Sequence, residues 1–318
     1  MEAPSQEQEA IPLVVICGPT ASGKTALSLE LAASRDIEII SADSRQVFRR
    51  MDIGTAKATP TERQSIPHHL VDVVAPDEAF SAADFIRLGR HAAKEIWSRG
   101  RLPVVVGGTG LYIRGLTEGL APAPGADEDL RRQLLRSEDE KGEGTLHRRL
   151  QDVDPVLAQR LSPRDLVRIV RGLEVFLASG RPLSDFQQSH RFADAPFRVL
   201  TIGVTASREE LCQRIDARVE RMFADGLLDE VRALLDAGYA PGLKSMRTIG
   251  YREGVRHLGG ELSYNETIAL IQQQTRRYAK RQMTWFRKEK SIIWVDSLRE
   301  SVKIQPLIDH FMSRRRSG

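Results

Sequence analysis

The sequence predicts an α/β fold, a parallel sheet with helices on both faces and a helical domain inserted partway along the chain. Three observations predict it. Short apolar runs at Val14–Cys17, Ile37–Ile40, Val71–Val74, Val104–Val106 and Val199–Val204 have the length and continuity of strands buried on both faces. Amphipathic helical stretches separate them, and strand–helix alternation builds parallel sheets. Between residues 119 and 197 the pattern turns helical and strand-poor.

The first strand runs into GPTASGKT, Gly18 to Thr25, and an apolar-periodic stretch follows with Ala26, Leu27, Leu29 and Leu31. Strand, glycine loop and helix are the context in which a G-x-x-x-x-G-K-[ST] match becomes a phosphate site, so the core reads as P-loop NTPase-like. The second strand leads into SADSRQVF. Ser81 with Asp84 three residues on forms a capping box that opens a helix to Ser98. A further strand, LPVVVGGTG, ends in Gly107, Gly108 and Thr109. The Pro- and Gly-rich APAPGADED then reads as a linker.

Helical periodicity follows in Leu130, Leu134, Leu135, then Leu146, Leu150, Val153, then Leu166, Ile169, Val170, Leu173, Val175, Phe176. The expected organisation is a core of residues 1–118 and 198–318 with an insertion at 119–197. FRVLTIGVT resumes the sheet, and helices are expected at Arg208–Asp225, Leu228–Ala237 and Asn265–Arg287. A last strand is expected at Ile292–Val295, and Arg314–Arg316 as a frayed basic tail.

Composition narrows the class. No run of 18 apolar residues exists, so no membrane span is expected, and MEAPSQEQEA lacks the layout of a signal peptide. Cys17 and Cys212 supply neither a disulfide framework nor a zinc spacing, which points to a reducing, cytoplasmic setting. Net charge is +4, unevenly spread. Residues 1–118 hold 13 Lys/Arg against 15 Asp/Glu, and the rest hold 34 against 28. A basic excess away from the phosphate loop fits a nucleic-acid surface, and a solvated charged face explains it equally well.

The loop chemistry follows from residue type. Gly18 and Gly23 let successive N–H groups point into one concavity, and the helix starting near Lys24 adds its partial positive charge. Lys24 is a point charge for terminal phosphate oxygens, and the Thr25 hydroxyl can ligate Mg²⁺. A di- or triphosphate is implied, whatever is attached to it.

One expected element is missing. The strand LPVVVGGTG carries no terminal carboxylate to hold Mg²⁺ as in nucleotide-hydrolysing P-loop proteins, and no N-K-x-D guanine signature occurs. Instead the second strand ends in Asp43. Carboxyl ends of neighbouring parallel strands face one crevice, so Asp43 should lie beside the phosphate loop and act as a base. The competing reading is a helix N-cap. At this point three classes stand: a small-molecule kinase, an alkyltransferase that displaces diphosphate, and a nucleic-acid-binding regulator with a nucleotide switch.

The ordered set GPTASGKT, SADSRQVFRRMDIGTAK, PHHLVDVVAPDEAFSAADF, LPVVVGGTGLYIRGL, IGYRE and TRRYAKRQMTWFR resembles the bacterial tRNA dimethylallyltransferase family, from about residue 13 to about residue 297. The resemblance implies that dimethylallyl diphosphate donates its dimethylallyl group to N6 of the adenosine just 3′ of the anticodon. Diphosphate then leaves. Gly18, Pro19, Thr20, Ala21, Ser22, Gly23, Lys24 and Thr25 would bind the donor with Arg218, and Thr25 would hold Mg²⁺. Lys24, Thr25, Arg218 and Asp43 would be the catalytic set, with Asp43 as base.

Thr109 resembles a residue that touches the target nucleotide. Asp43, Ser44, Arg45, Gln46, Arg131, Val167, Arg168, Ile169, Val170, Arg171, Arg247, Thr248, Ile249, Gly250, Tyr251 and Arg252 resemble positions that contact tRNA. In TRRYAKRQMTWFR, Trp285 and Phe286 are expected to be largely core, with only some arginines solvent-facing. The target adenine must leave its stack to expose N6, and the insertion would clamp the anticodon stem-loop. No zinc-finger extension follows residue 297, which fits a bacterial-type enzyme. A monomer is expected. The nearer alternative is an adenylate isopentenyltransferase acting on free AMP, ADP or ATP.

Overall fold

The computed structural model describes residues 10–190, 196–296 and 299–313. The expectations for residues 1–9 and for Arg314–Arg316 lie outside the described residues. The chain divides into two compact units, residues 1–117 with 196–318, and residues 118–195.

In the first unit, the strands are β1 (Ile11–Cys17), β2 (Ile37–Ala42), β3 (His68–His69), β4 (Leu102–Gly107), β5 (Phe197–Thr205) and β6 (Ile293–Asp296). The helices before the insertion are α1 (Lys24–Ala32), α2 (Pro60–Ser65), α3 (Ala82–Ser98) and α4 (Gly110–Glu118). The insertion is α5 (Glu128–Lys141), α6 (Thr145–Val153), α7 (Pro155–Ala158), α8 (Leu166–Ser179) and α9 (Leu183–His190), with no strand among its described residues. After it come α10 (Arg208–Ala224), α11 (Leu227–Asp236), α12 (Tyr251–Leu258), α13 (Tyr264–Phe286) and α14 (Ile304–Ser313).

All strands are parallel, in the order β3-β2-β4-β1-β5-β6. Side chains alternate along β1. Leu13, Val15 and Cys17 join Phe85, Ile96 and Leu116 on one face, while Val14 and Ile16 join Leu27, Leu31 and Ile308 on the other. Both faces are thus covered by helices, which is why the strands read as continuous apolar runs.

The register fixes where the strands end. Cys17 pairs with Gly107, and Gly107 pairs with Ala42. Gly18, Gly108 and Asp43 therefore leave the sheet side by side. The close approach needs glycine: a Cβ on Gly107 would lie 2.2 Å from the Ala42 carbonyl oxygen. Gly18 has φ of 147°, and its Cβ would lie 2.2 Å from the Val204 carbonyl oxygen.

The helix at Ser81 opens as expected, with a reciprocal capping box between Ser81 and Asp84. One strand is corrected. Val71–Val74 forms only an isolated bridge from Val74 to Phe48, and the edge strand is His68–His69. Leu70 and Asp72 adopt φ of 63° and 57°, which breaks the extended run. Within the insertion, Leu134, Leu146, Leu150, Ile169 and Leu173 form a separate core.

Gly107→Ala should cost about 1–3 kcal/mol, because backbone has to move to admit the methyl. Gly242→Ala, where an added Cβ meets nothing within 4 Å, should stay within about 0.5 kcal/mol of the parent. Urea denaturation midpoints of the two variants check this, and equal midpoints would refute it.

Candidate active site

The loop after β1 curls through Gly18 (φ 147°), Ala21 (φ 63°) and Gly23 (φ 94°). Gly23 is the N-cap of α1 and offers no side chain to its first-turn amides. The Ser22 hydroxyl is buried and has no hydrogen-bond partner. Uncapped amides at a helix start attract an anion.

Two cations reinforce this. Lys24 Nζ donates to the Pro19 carbonyl (2.6 Å), and Arg218 of α10 donates to Thr20 Oγ1 (3.1 Å). Among the described residues neither has a carboxylate at ion-pair distance. Burial pushes Lys24 down to about 8; Arg218 pushes the same way, and Asp43 opposes. Burial also lowers Arg218, again against Asp43. Two desolvated cations without an ion-pair partner favour a polyanionic ligand.

These groups line a cavity of about 770 Å³ together with Thr20, Thr25 and Asp43. That volume is in the range of small-molecule sites. Arg214 and Arg221 line it too, one turn either side of Arg218 on the same face of α10. Asp43 caps no helix. It enters a turn, and its Oδ1 accepts from Arg45 N (2.8 Å). Its second oxygen leaves capacity for a proton.

The turn after β4 completes the site. Thr109 N donates to the Ala42 carbonyl (3.1 Å), and Thr109 Oγ1 accepts from Ser44 N (3.1 Å). Thr109 is thereby tied to both residues flanking Asp43. Tyr278 of α13 lines the same cavity; burial, with Asp43 adding, holds its phenol well above the usual range. Burial, with Asp43 adding, likewise pushes Tyr112 up to about 12. Both phenols stay neutral near pH 7.

Several expected RNA-contacting residues fall elsewhere. Thr248 and Tyr251 are buried and Gly250 turns the backbone into α12, so none of the three presents a side chain at the surface. Tyr251 donates to Glu230 Oε1 (2.5 Å), and Glu230 accepts the amides of Asp52, Ile53 and Gly54. Ile249 packs on the same core. Gln46 turns inward, accepting from Ser41 Oγ and donating to the Thr55 and Ala56 carbonyls. Arg45 reaches the Lys244 carbonyl, Arg252 reaches Glu253, and Arg247 is exposed.

Within the insertion, Ile169 and Val170 are core: at helical spacing they fall on the apolar face of α8, so their side chains pack inside the unit. Val167 is 84% exposed and Arg168 is exposed. Arg131 and Arg171 are spent on a buried carboxylate, Glu174, which also accepts from Asp127 N (2.7 Å). Burial alone would raise Glu174, and these donors hold it below the usual carboxylate range.

Sequence reasoning missed Tyr278 and Gln282. The signal was present: Gln282 interrupts the buried stripe of Ala279 and Phe286, and a buried amide must find partners. Phe286 is core as expected, and Trp285 is half-buried against the same cluster.

A family model described as IPP transferase matches residues 46–289, and one described as isopentenyl transferase matches residues 11–80. The chain is 59% identical to tRNA dimethylallyltransferase 1 of Syntrophotalea carbinolica, over 95% of this chain and 96% of that protein. It is 56% identical to tRNA dimethylallyltransferase of Geobacter metallireducens, over 92% and 94%. Two solved structures are similar. The tRNA isopentenylpyrophosphate transferase from Bacillus halodurans aligns with TM-score 0.70 and 38% identity, over 95% and 96% of the two chains. A eukaryotic dimethylallyltransferase acting on tRNA aligns with TM-score 0.81 and 27% identity, over 96% and 80%. Matched over residues 46–289 by the family model and over nearly its whole length by these relatives, the chain belongs to the IPP transferase family of tRNA dimethylallyltransferases.

Proposed function

We propose that the chain transfers the dimethylallyl group of dimethylallyl diphosphate to N6 of the adenosine 3′-adjacent to the anticodon of tRNA, releasing diphosphate. The observation that carries this reading is the pairing of Lys24 and Arg218, two cations with no carboxylate at ion-pair distance among the described residues, with Asp43 across one cavity, and no carboxylate at the end of β4.

The chemistry matches that arrangement. The C–O bond to the diphosphate breaks as the N6–C bond forms, so negative charge grows on the leaving oxygen. The loop amides, Lys24 and Arg218 meet that charge. The adenine amine is a poor nucleophile, because its lone pair is delocalised into the ring. Asp43 takes the N6 proton as the new bond forms. Thr109, fixed between Ala42 and Ser44, supports the base beside Asp43.

Thr25 faces the cavity, and no cluster of three or more His, Cys, Asp or Glu occurs among the described residues. That donor set fits Mg²⁺ held by one hydroxyl, diphosphate oxygens and water. Bound there, Mg²⁺ would add positive charge at the leaving group. The target adenine must be extruded to reach this cavity. In the insertion, exposed Val167 and Arg168 at the start of α8 are the surface we assign to the anticodon stem-loop, with Arg247 in the core unit. No described helix is long and apolar enough to cross a membrane. We place the enzyme in the cytoplasm, as a monomer.

Labelled dimethylallyl diphosphate offered in parallel to tRNA and to AMP, beside γ-labelled ATP with small acceptors, tests the reading. Label should reach tRNA alone. Label on AMP would identify a free-nucleotide enzyme, and phosphate transfer a kinase.

Asp43→Ala should slow transfer by about 10²–10⁴-fold, with tRNA affinity nearly unchanged. A rate near the parent's would remove Asp43 from its role. Donor binding should also depend on pH. Lys24 is charged below about 8 and neutral above it, so affinity for the diphosphate is full below that value and falls as pH rises through it. The donor KM measured from pH 7 to 9.5 should climb in the parent and stay flatter in Lys24→Arg. Parallel profiles for the two would refute the assignment.

A further inference from the structure

Gln282 lies on α13, far in sequence from both halves of the site, and is 6% exposed. Its amide is used at both ends. Oε1 accepts from Thr20 N (2.8 Å) in the phosphate loop, and Nε2 donates to the Gly108 carbonyl (3.0 Å) in the turn after β4. The contact is close enough that a Cβ on Gly108 would lie 2.1 Å from Nε2.

Each end continues into the chemistry. Thr20 Oγ1 takes a hydrogen bond from Arg218. Gly108 precedes Thr109, which holds Ser44 N next to Asp43. A neighbour on α13 packs against the same turn: a Cβ on Gly110 would strike the Trp285 indole at 2.1 Å. A planar amide has fixed length, so this bridge sets the spacing between cradle and turn.

We propose that Gln282 is a positioning residue that holds the donor cradle at its working distance from the acceptor turn and Asp43. The inference rests on the transferase reading. Its chemical logic is distinct from binding. Neither amide contact adds charge toward the diphosphate. What it fixes is the geometry between two substrates, and misplacing reacting atoms by about 1 Å can cost about 10²-fold in rate.

The test uses full-length Gln282→Met, similar in length and unable to bridge, and Gln282→Glu, which keeps an acceptor for Thr20 N but sets an oxygen against the Gly108 carbonyl. Four quantities are measured: single-turnover transfer at saturating donor and tRNA, affinity for inorganic diphosphate, affinity for tRNA, and melting temperature. Single-turnover transfer should fall by about 10²-fold in Gln282→Met and by less in Gln282→Glu. Both affinities should stay within about threefold, with melting temperatures near the parent's.

If the loss appears in diphosphate affinity or in melting temperature instead, Gln282 is a binding or packing residue and the proposal falls. Should Gln282→Met not fold, Gln282→Glu alone decides by the same criteria. Variants that transfer as fast as the parent sink the inference and leave the transferase reading intact. A parent enzyme that prenylates no tRNA sinks the transferase reading itself.

Discussion

The site depends on one constraint: three neighbouring strands end in register. Cys17, Gly107 and Ala42 lie side by side, so the residues that follow them emerge at one level. Gly18 starts the cradle, Asp43 supplies the carboxylate, and Gly108 leads to Thr109. A slip of one residue in either pairing would turn every side chain of a strand to the other face and separate these groups. The glycines at the strand ends hold that register by admitting the neighbouring carbonyls, 2.2 Å from where a Cβ would sit on Gly107 or Gly18.

Charge distinguishes the functional cations from the structural ones. The Lys57 side chain is buried, yet it is saturated by Asp52, Asp72 and the Phe48 carbonyl. Arg131 and Arg171 converge on Glu174. Such pairs neutralise the cations within the protein and hold backbone in place. Lys24 and Arg218 are different. They are desolvated beside one another, and among the described residues their side chains hydrogen-bond a carbonyl and a hydroxyl, with no carboxylate at ion-pair distance. An arrangement that lowers the affinity of both for protons is relieved when a diphosphate arrives.

Much of this was legible in the sequence because it is local. The phosphate loop is a contiguous octet, and the strand leading into Asp43 marks itself by its apolar run. The capping box at Ser81 and Asp84 is likewise a spacing of three residues. What failed was non-local or conformational. Val71–Val74 has the composition of a strand, but positive φ at Leu70 and Asp72 takes it out of the sheet. Gln282 marks itself by interrupting an apolar stripe, but its partners Thr20 and Gly108 are distant in sequence and only the fold brings them to its amide. The burial of Ile169, Val170, Thr248 and Tyr251 likewise comes from packing against residues distant in sequence.

Tyr251 shows how a motif can serve the site without touching a substrate. Its hydroxyl holds Glu230, and that carboxylate takes the successive amides of Asp52, Ile53 and Gly54 at 2.8, 2.9 and 3.2 Å. Three consecutive N–H groups converging on one point form an anion nest, the same device as the phosphate loop. Here the protein fills the nest with its own carboxylate, and the Tyr251 ring leaves no room for a side chain at position 54. The loop so fixed supplies Asp52, Ile53 and Thr55 to the cavity wall. The chain therefore contains two nests with opposite fates. One is closed by Glu230 and becomes scaffold, while the other, uncapped at Gly23 and flanked by Lys24 and Arg218, stays open to a ligand. Whether the anion comes from the protein or from solution is what separates structure from function in this fold.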